Sequence, residues 1–405
     1  MRKETGGPFQ ALGESRKDRL VEVASLFLRL GFTAFGGPAA HIAMMRQEVV
    51  KRRQWVSDER FVDLLSIINL IPGPNSTQLA IYLGFVRAGW PGLIVAGVCF
   101  IGAAMLIVLA LAWLYVRYGS LPQANWIFYG IKPVVIAIIA HALWGLCRTV
   151  LKGVWPVGFA LLILVLYLVG VQQILLLFGA GLCYAALRLL LQPQKNAVLS
   201  FALSLSVRDI WEQWRGAAPA GPLVVAVSAV VPITVSLLFL TFLKIGSVVY
   251  GSGYVLLAFL RSDLVLKLHW LSDRQLLDAV SIGQFTPGPV FTTATFIGYL
   301  LAGWLGALVA TLGIFLPSFV FIAAIHPLAA RLRSSSWTAA ILDGINIAAL
   351  ALIAGVLLQL AQNALADAVT WMIALVSLVI VLRFKINSVW LIVAGAAIGV
   401  LRHFM

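Results

Sequence analysis

The chain has 405 residues, of which 61% are hydrophobic and only 11% are charged. With a mean hydropathy of +1.00, this composition excludes a soluble globular domain and indicates an integral membrane protein. The formal net charge of +14 does not indicate nucleic-acid binding, because Lys and Arg lie mostly in short loops between apolar runs, as in the cytoplasmic loops of membrane proteins.

Residues 1–19 form a polar tail without the apolar core and cleavage site of a signal peptide, so the first hydrophobic segment is expected to target the chain. That segment, SLFLRLGFTAFGGP, carries Arg29. A cation within an apolar segment costs on the order of 3 kcal/mol or more, so Arg29 either has a function or snorkels to the interface from a helix end. The glycines Gly36 and Gly37 that follow are expected to break the helix.

Pro72-Gly73-Pro74 is the most informative motif of the first half. Within an apolar stretch it breaks a helix, because prolines remove backbone donors and leave carbonyls free. Lipid cannot satisfy such groups, so the break must pack against protein or line a cavity, which in transporters is usually the substrate site. The hydroxyl and amide side chains of residues 75–78 follow at the start of the next helix, where the N–H groups favour an anion.

Residues 191–221 separate the two halves of the chain. Ile210, Trp211 and Trp214 alternate there with charged residues, which predicts an amphipathic helix on the membrane surface. We interpret this segment as a cytoplasmic linker without a role in transport.

The second half of the chain repeats the first. At an offset of 215 residues, Pro287-Gly288-Pro289 coincides with residues 72–74, and Lys244 coincides with Arg29. Beyond these triplets the offset becomes 214, which keeps Gly-Trp at 89–90 with Gly-Trp at 303–304. This pattern indicates duplication, with one transmembrane repeat at 20–190 and the second at 222–405.

The charges of the loops indicate that the two repeats have opposite orientations. The first repeat is basic at 51–53, 148–152 and 188–195, whereas the second is basic at 331–333 and 383–385 and has no cation in the turn that corresponds to 148–152. Equivalent loops therefore exchange their charge. The predicted fold is an all-α polytopic membrane protein with two inverted-topology repeats and broken or re-entrant helices.

Symmetric cations, helix N-termini and neutral donors together suit a tetrahedral oxyanion. For the hydroxyls, hydrogen bonding back to the helix's own carbonyls is the alternative. The predicted substrate-binding residues are Arg29, Lys244, Gly36, Gly37, Gly251, Gly73, Asn75, Ser76, Thr77, Gly288, Thr292 and Thr293.

Acidic residues near the membrane are few and are paired by the repeat, which makes them candidates for carrying protons. Ion pairs within the loops are the alternative, since Arg46 and Lys51 lie close to Glu48 in sequence. Lys132 and His141 are not repeated in the second half, where the equivalent of Lys132 is Asn346, and we interpret them as an interfacial lysine and a core histidine. The proton-coupling candidates are Glu48, Asp263, Asp63 and Asp278.

No enzyme, cofactor or metal motif is recognised in the sequence. Cys99, Cys147 and Cys183 lie in apolar runs without the spacing of a redox or metal pair, so they are expected to be structural thiols. The five histidines show no clustering with carboxylates or thiols. The chain is therefore not expected to be an enzyme or to hold a cofactor or a metal.

The motifs FGGPAAHIAMM, WVSDERFVDLLSIINLIPGPNSTQLAIYLGF and WLSDRQLLDAVSIGQFTPGPVFTTATFIGYL make the chain similar to the chromate ion transporter family, in its long form with two fused homologous domains. The resemblance spans both repeats. It departs from internal symmetry at 251–253, where Gly-Ser-Gly replaces Gly-Gly-Pro, and at Ala103, whose equivalent is Pro317.

The resemblance implies an antiporter that exports chromate across the cell inner membrane, driven by membrane potential and proton exchange, and that confers chromate resistance. The expected partners are chromate or sulfate, protons and the lipid bilayer, without nucleic acid, and a homodimer is left open. A carrier for sulfate or another oxyanion is the nearer alternative, and an anion channel is the more distant one.

Overall fold

A computed structural model describes residues 15–119, 121–190, 232–250, 253–333, 336–384 and 386–404. Within these ranges the chain is helical and has no β-strand. The tail before residue 15 and the predicted surface helix at 191–221 lie outside the described residues.

The first repeat forms seven helices in chain order, and a π-helical turn at Gln47–Arg52 continues the second of them. The helices are α1 (Arg16–Thr33), α2 (Gly37–Arg46), α3 (Asp58–Ile68), α4 (Asn75–Tyr118), α5 (Pro122–Val150), α6 (Val154–Leu168) and α7 (Gln173–Leu190).

The second repeat has the same order of elements, with a π-helical turn at Arg261–Lys267 and short 3₁₀ turns at Gly253–Val255 and Val290–Thr292. Its helices are α8 (Val235–Val248), α9 (Leu256–Leu260), α10 (Asp273–Phe285), α11 (Thr293–Arg333), α12 (Ser336–Ala364), α13 (Ala368–Arg383) and α14 (Ser388–Phe404). In the described part of the chain, α4, α5, α11 and α12 are each long and apolar enough to cross a membrane.

The helices that begin at Asp58, Pro122 and Val154 have counterparts that begin at Asp273, Ser336 and Ala368, as the sequence offset requires, and the other helices of the second repeat begin within four residues of the expected position. Irregular features repeat as well: a non-helical Ala-Gly pair interrupts α4 at 88–89 and α11 at 302–303. Gln54 and His269 both adopt left-handed backbone conformations, with φ of 52° and 53°. The duplication read from the sequence is therefore confirmed in three dimensions.

The Ala-Gly interruptions are hairpins, not gentle kinks. The hydroxyl oxygens of Thr295 and Thr311 lie 2.7 Å apart, although a straight helix would separate 16 residues by about 24 Å. In α4, a Cβ added to Gly84 would lie 2.3 Å from the carbonyl oxygen of Gly92. Each long helix therefore consists of a short first arm, 75–87 or 293–301, folded back on a long second arm, as expected for re-entrant helices.

Helices α1 and α2 form a second hairpin in the first repeat. Arg53 near its open end donates to Glu22 at 2.8 Å, Arg29 pairs with Glu48 at 2.7 Å, and His41 lies 3.0 Å from the carbonyl of Ala34 near the turn. The turn between the helices is the predicted glycine break, where Gly36 and Gly37 have φ of 99° and 76°.

The equivalent helices α4 and α11 pack antiparallel to one another. Gly97, early in the second arm of α4, meets Phe319, late in α11, with 2.3 Å between an added Cβ and the ring. Tyr115 near the end of α4 meets Phe296 near the start of α11, with ring centroids 5.1 Å apart. Equivalent helices that run in opposite directions establish the inverted topology.

The remaining helices form a scaffold that the two repeats share. Helix α5 of the first repeat packs against α13 and α14 of the second, and α12 of the second repeat packs against α6 and α7 of the first. This exchange ties the repeats together around α4 and α11 and places both Pro-Gly-Pro triplets inside the protein.

Candidate substrate site

The two Pro-Gly-Pro triplets meet at a pseudo-two-fold centre. The backbone N–H of Gly73 donates to the carbonyl of Val249 at 2.7 Å, and the N–H of Gly288 donates to the carbonyl of Ala34 at 2.8 Å. The two donors, Gly73 and Gly288, are 215 residues apart, and so are the two acceptors, Ala34 and Val249. Each triplet therefore docks on the residue that follows the first helix of the other repeat, beside the glycine break. Gly251, which was predicted to belong to this break, lies outside the described residues.

Only glycine fits these two positions. Gly73 and Gly288 have φ of 125° and 87°, which side chains other than hydrogen rarely adopt. A Cβ on Gly288 would lie 2.5 Å from that of Ala104, and a Cβ on Gly73 would lie 3.1 Å from the hydroxyl of Ser318. The conformation and the close approach both follow from docking one repeat on the other.

The first arm of α4, together with Ser318 of α11, brings unpaired polar atoms to this centre. Ser76 and Thr77 are buried, with 2% and 0% exposure. The Thr77 hydroxyl, the Gln78 Oε1 and the Ser318 hydroxyl are buried without a hydrogen-bond partner within the described ranges. Buried polar atoms are normally paired, so such a group beside a helix N-terminus is suited to a ligand.

His41 also lies at the centre, although the sequence predicts no role for it. Its Nε2 is 3.0 Å from the Ala34 carbonyl, which already accepts from Gly288, and its Nδ1 is 3.4 Å from the Ser76 hydroxyl. A carbonyl only accepts, so Nε2 is the donor and Nδ1 is left to face Ser76. Its position five residues after Gly36 was the available signal, but a single histidine in an apolar helix is usually a core residue.

The start of α11 differs chemically from the start of α4. Thr292 and Thr293 are buried, and their hydroxyls donate to the carbonyls of Pro289 and Val290 at 2.7 and 2.8 Å. The hydroxyl protons of the two predicted substrate-binding threonines are thus used inside the helix. Val290 and Phe291 occupy the positions of Asn75 and Ser76, so polar donors are concentrated on the first repeat.

The two symmetric cations flank the centre at a distance. Arg29 lies five residues before Ala34, which is about 7.5 Å along the axis of α1. It pairs with Glu48 at 2.7 Å, and Lys244 pairs with Asp263 at 2.6 Å. The structure therefore pairs each cation with a carboxylate, and direct contact of either cation with a substrate stays a prediction.

Asp263 is held by two cations and Glu48 by three, since Arg53 Nε also lies 3.6 Å from the Glu48 carboxylate. Glu48 also pairs with Arg52 at 2.8 Å, and Asp263 also lies 3.4 Å from Lys267. The expected ion pair between Arg46 and Glu48 is not the one formed, because Arg46 pairs with Asp58. These carboxylates are thus structural partners of the flanking cations, in agreement with the ion-pair alternative but with other residues.

Asp278 is 3% exposed and bonds to Lys132 at 2.9 Å and to the hydroxyl of Tyr115 at 2.9 Å. The Lys132 side chain is 12% exposed and pairs with Asp278 inside the protein, a partner that its position in the sequence did not indicate. Asp63, the equivalent of Asp278, is only half-buried. The two repeats thus differ at this pair of carboxylates.

A charged cluster joins α1 to the hairpin tip of α4. Glu22 accepts hydrogen bonds from Arg53 at 2.8 Å, Trp55 at 3.1 Å and Arg87 at 2.7 Å. Together with Arg29, Arg52 and Glu48, this flank holds four cations and two carboxylates, a net charge of +2. Lys244, Lys267 and Asp263 give the other flank a net charge of +1, so both flanks favour an anion.

Within the described part of the chain, no group of three or more His, Cys, Asp or Glu side chains is arranged to hold a metal ion. The chemistry available at the centre is hydrogen bonding and electrostatic attraction, which suits reversible binding of an oxyanion.

Comparison with known proteins agrees with this arrangement. The chromate transporter family model matches residues 21–185 and again 236–400, which are the two repeats. The chain is 35% identical over 383 residues to the "Chromate transport protein" of Cupriavidus metallidurans, covering 94% of this chain and 92% of that protein. It is 32% identical over 393 residues to the "Probable chromate transport protein" of Synechococcus elongatus, covering 94% and 95%.

A "Chromate transport protein" of Pseudomonas aeruginosa is 32% identical over 337 residues, which cover 83% of this chain and 80% of that protein. No solved structure matches the chain. The members of this family are transporters, so the chain is not an enzyme, and its apolar helices make it a multi-pass membrane protein. The two matched segments and the full-length relatives show that the chain belongs to the chromate transporter family.

Proposed function

We propose that this protein exports chromate across the cytoplasmic membrane of the cell, in the inner membrane where the cell has two, and thereby confers chromate resistance. The observation that carries the proposal is the centre formed by reciprocal bonds of Gly73 and Gly288, beside which the hydroxyls of Thr77 and Ser318 are buried without a partner within the described ranges. Named relatives that transport chromate supply the identity of the anion.

The energetics favour export over uptake. Moving one charge through 100 mV is worth about 2.3 kcal/mol, so a dianion leaving an inside-negative cell gains about twice that. Uptake of sulfate by the same route would require several coupled cations. Proton exchange adds drive to export, which makes the protein an antiporter in this proposal.

The electrostatic role of Arg29 is tested with Arg29→Gln and Lys244→Gln, at confirmed membrane levels, in everted vesicles. Both variants are expected to lose most chromate accumulation. Because Arg29 also pairs with Glu48, Glu48→Gln and the double variant Arg29→Gln/Glu48→Gln are the matched controls. Transport retained in both single cation variants removes the electrostatic argument, and equal loss in Glu48→Gln shows that the pair matters more than the positive charge.

The asymmetry of the centre gives a second test. Thr77→Val removes a buried, unpaired hydroxyl, whereas Thr292→Val removes one that donates inside its own helix. We expect Thr77→Val to raise the KM for chromate several-fold and Thr292→Val to change it little. A larger increase of the KM in Thr292→Val than in Thr77→Val would place the substrate on the second repeat.

Proton exchange is tested separately from anion recognition. With the membrane potential clamped to zero, an imposed pH gradient is expected to drive chromate flux, and Asp278→Asn is expected to reduce that response more than Asp63→Asn. A chromate flux that does not change with the pH gradient identifies a uniporter.

A sulfate or other oxyanion carrier is the alternative function, since both ions are tetrahedral dianions. Competition of sulfate and molybdate with labelled chromate separates these carriers. An anion channel is distinguished by single-channel currents and flux that does not saturate. Whether the protein works as a homodimer is tested by its mass in detergent.

A further inference from the structure

The two repeats bury their equivalent helices to different extents. Ser281 on α10 is 1% exposed and Gln284 is 8% exposed, whereas their equivalents on α3, Ser66 and Asn69, are exposed. Helix α10 packs against α5, α12 and α14, while α3 contacts chiefly α4 and α11. The second repeat is therefore closed against the scaffold and the first repeat is open.

The open face of α3 suits water better than lipid. Glu59, Ser66 and Asn69 lie along one side of this helix and are exposed, with Val62 as the exposed apolar residue among them, and polar side chains at membrane depth normally line an aqueous cavity. The face leads to the substrate centre, because the amide of Asn75 at the start of α4 donates to Asn69 at 2.8 Å. In the second repeat the equivalent of Asn75 is Val290, which is buried.

A cavity of about 690 Å³ occupies the part of the scaffold where symmetry would dock α3. Asn346, the equivalent of Lys132, lines it, together with Thr149, Lys152, Tyr184, Arg188 and Asp343. On the closed side, the corresponding place is filled by α10, with Asp278 bonded to Lys132 and Tyr115. The cavity thus contains Asn346, the counterpart of the residue to which Asp278 of α10 bonds.

The charges around this cavity are suited to a small oxyanion. Arg188 pairs with Asp343 at 2.7 Å, and Lys152 makes no ion pair with any described residue, so the wall carries a net charge of +1. The neighbouring basic loops identify this side as cytoplasmic.

We propose that this cavity is the cytoplasmic vestibule through which an oxyanion reaches the Pro-Gly-Pro centre, and that the contact of Asp278 with Lys132 and Tyr115 is the closed outer gate. The structure is then the inward-open state, and the outward-open state forms when α3 docks near Asn346 while α10 releases Lys132. The proposal rests on the proposed carrier function and adds the entry site, the gate residues and the state.

The vestibule is tested by labelling in everted vesicles, in a chain whose three native cysteines are replaced by serine. Ser66→Cys is expected to react with a membrane-impermeant maleimide at least tenfold faster than its equivalent, Ser281→Cys. Equal rates, or faster reaction of Ser281→Cys, overturn the assignment of the open side. This measurement needs no transported substrate, so it is independent of whether chromate is the cargo.

The gate and the anion class are tested in the same background. The pair Asp63→Cys and Asn346→Cys is expected to cross-link during turnover and to stop transport until the link is reduced; no cross-link overturns the exchange of the two gates.

Lys152→Gln is expected to raise the KM for chromate several-fold without lowering kcat, whereas Arg148→Gln, which does not line the cavity, leaves the KM unchanged. Equal KM values in the two variants overturn the role of the vestibule in anion entry.

Discussion

Replacing Glu22 by leucine tests whether the charged cluster of the first repeat is a stabilising unit or a replaceable one. The Glu22 carboxylate accepts from Arg53, Arg87 and Trp55, and these two arginine side chains are 26% and 12% exposed. At the equivalent positions the second repeat has Leu237, Leu268 and Leu301, all packed against its hydrophobic core. One architecture therefore uses either charge or leucine at the same three positions.

Glu22→Leu removes the carboxylate that accepts from two partly buried arginines and from an indole N–H. Removing one partner of a buried pair costs about 3–5 kcal/mol and of an exposed pair about 1 kcal/mol or less, so we expect a loss of about 2–3 kcal/mol here. The triple variant Glu22→Leu/Arg53→Leu/Arg87→Leu removes both arginine charges together with the carboxylate. Since apolar replacements of whole ion clusters are often neutral or stabilising, it should recover to within about 1 kcal/mol of the wild type.

The assay is the midpoint of heat-induced loss of monodisperse protein in detergent, compared by rank because a multi-span protein does not unfold in two states. The expected order is wild type and triple variant above Glu22→Leu. Leu237→Glu, which places a lone carboxylate among leucines, is the reverse control and should also lower the midpoint. A triple variant no more stable than Glu22→Leu would refute the equivalence of the two clusters.

Two further predictions concern the hairpin and the surface. Gly84→Ala places a Cβ 2.3 Å from the Gly92 carbonyl oxygen and should sharply reduce the yield of monodisperse protein, whereas Gly102→Ala in the same helix meets open space and should fold normally. The hydrogen bond from Arg46 lowers the pKa of Asp58, so this exposed pair stabilises the fold above the ordinary aspartate pKa of about 3.9, and that contribution disappears as the pH falls through the lower folded-state value. In Asp58→Asn, the midpoint temperature should therefore fall slightly less than in the wild type as the pH is lowered through this range. An equal fall in both proteins would contradict the role of this pair.

Much of the architecture was predictable because it is written in patterns that repeat along the chain. The 215-residue offset identifies the duplicated elements. The charge of a loop depends on the side of the membrane on which it lies and not on packing, so the inverted orientation could be predicted without knowledge of any contact. Proline and glycine act locally on the backbone, so the breaks at residues 72–74 and 287–289 were also readable. The structure confirmed each of these features.

The partners of charged side chains were not predictable in the same way. Sequence proximity suggested Arg46 for Glu48, but the α1–α2 hairpin brings Arg29 to that carboxylate instead. Lys132 pairs with Asp278, which is 146 residues away in sequence, because α10 of one repeat packs on α5 of the other. Such pairings depend on which helix faces touch, and no local pattern contains that information.

By itself, the sequence determined the membrane class, the two inverted repeats and the location of the breaks, because hydrophobicity, charge and backbone restriction act through local composition and chain order. Only the tertiary structure decided that the repeats differ chemically at their centre, that His41 joins that centre, and that α3 is open where α10 is closed. The physical reason is that duplication gives the two repeats corresponding helices, whereas burial and hydrogen bonding depend on which helices pack together. Two corresponding helices need not pack against the same neighbours.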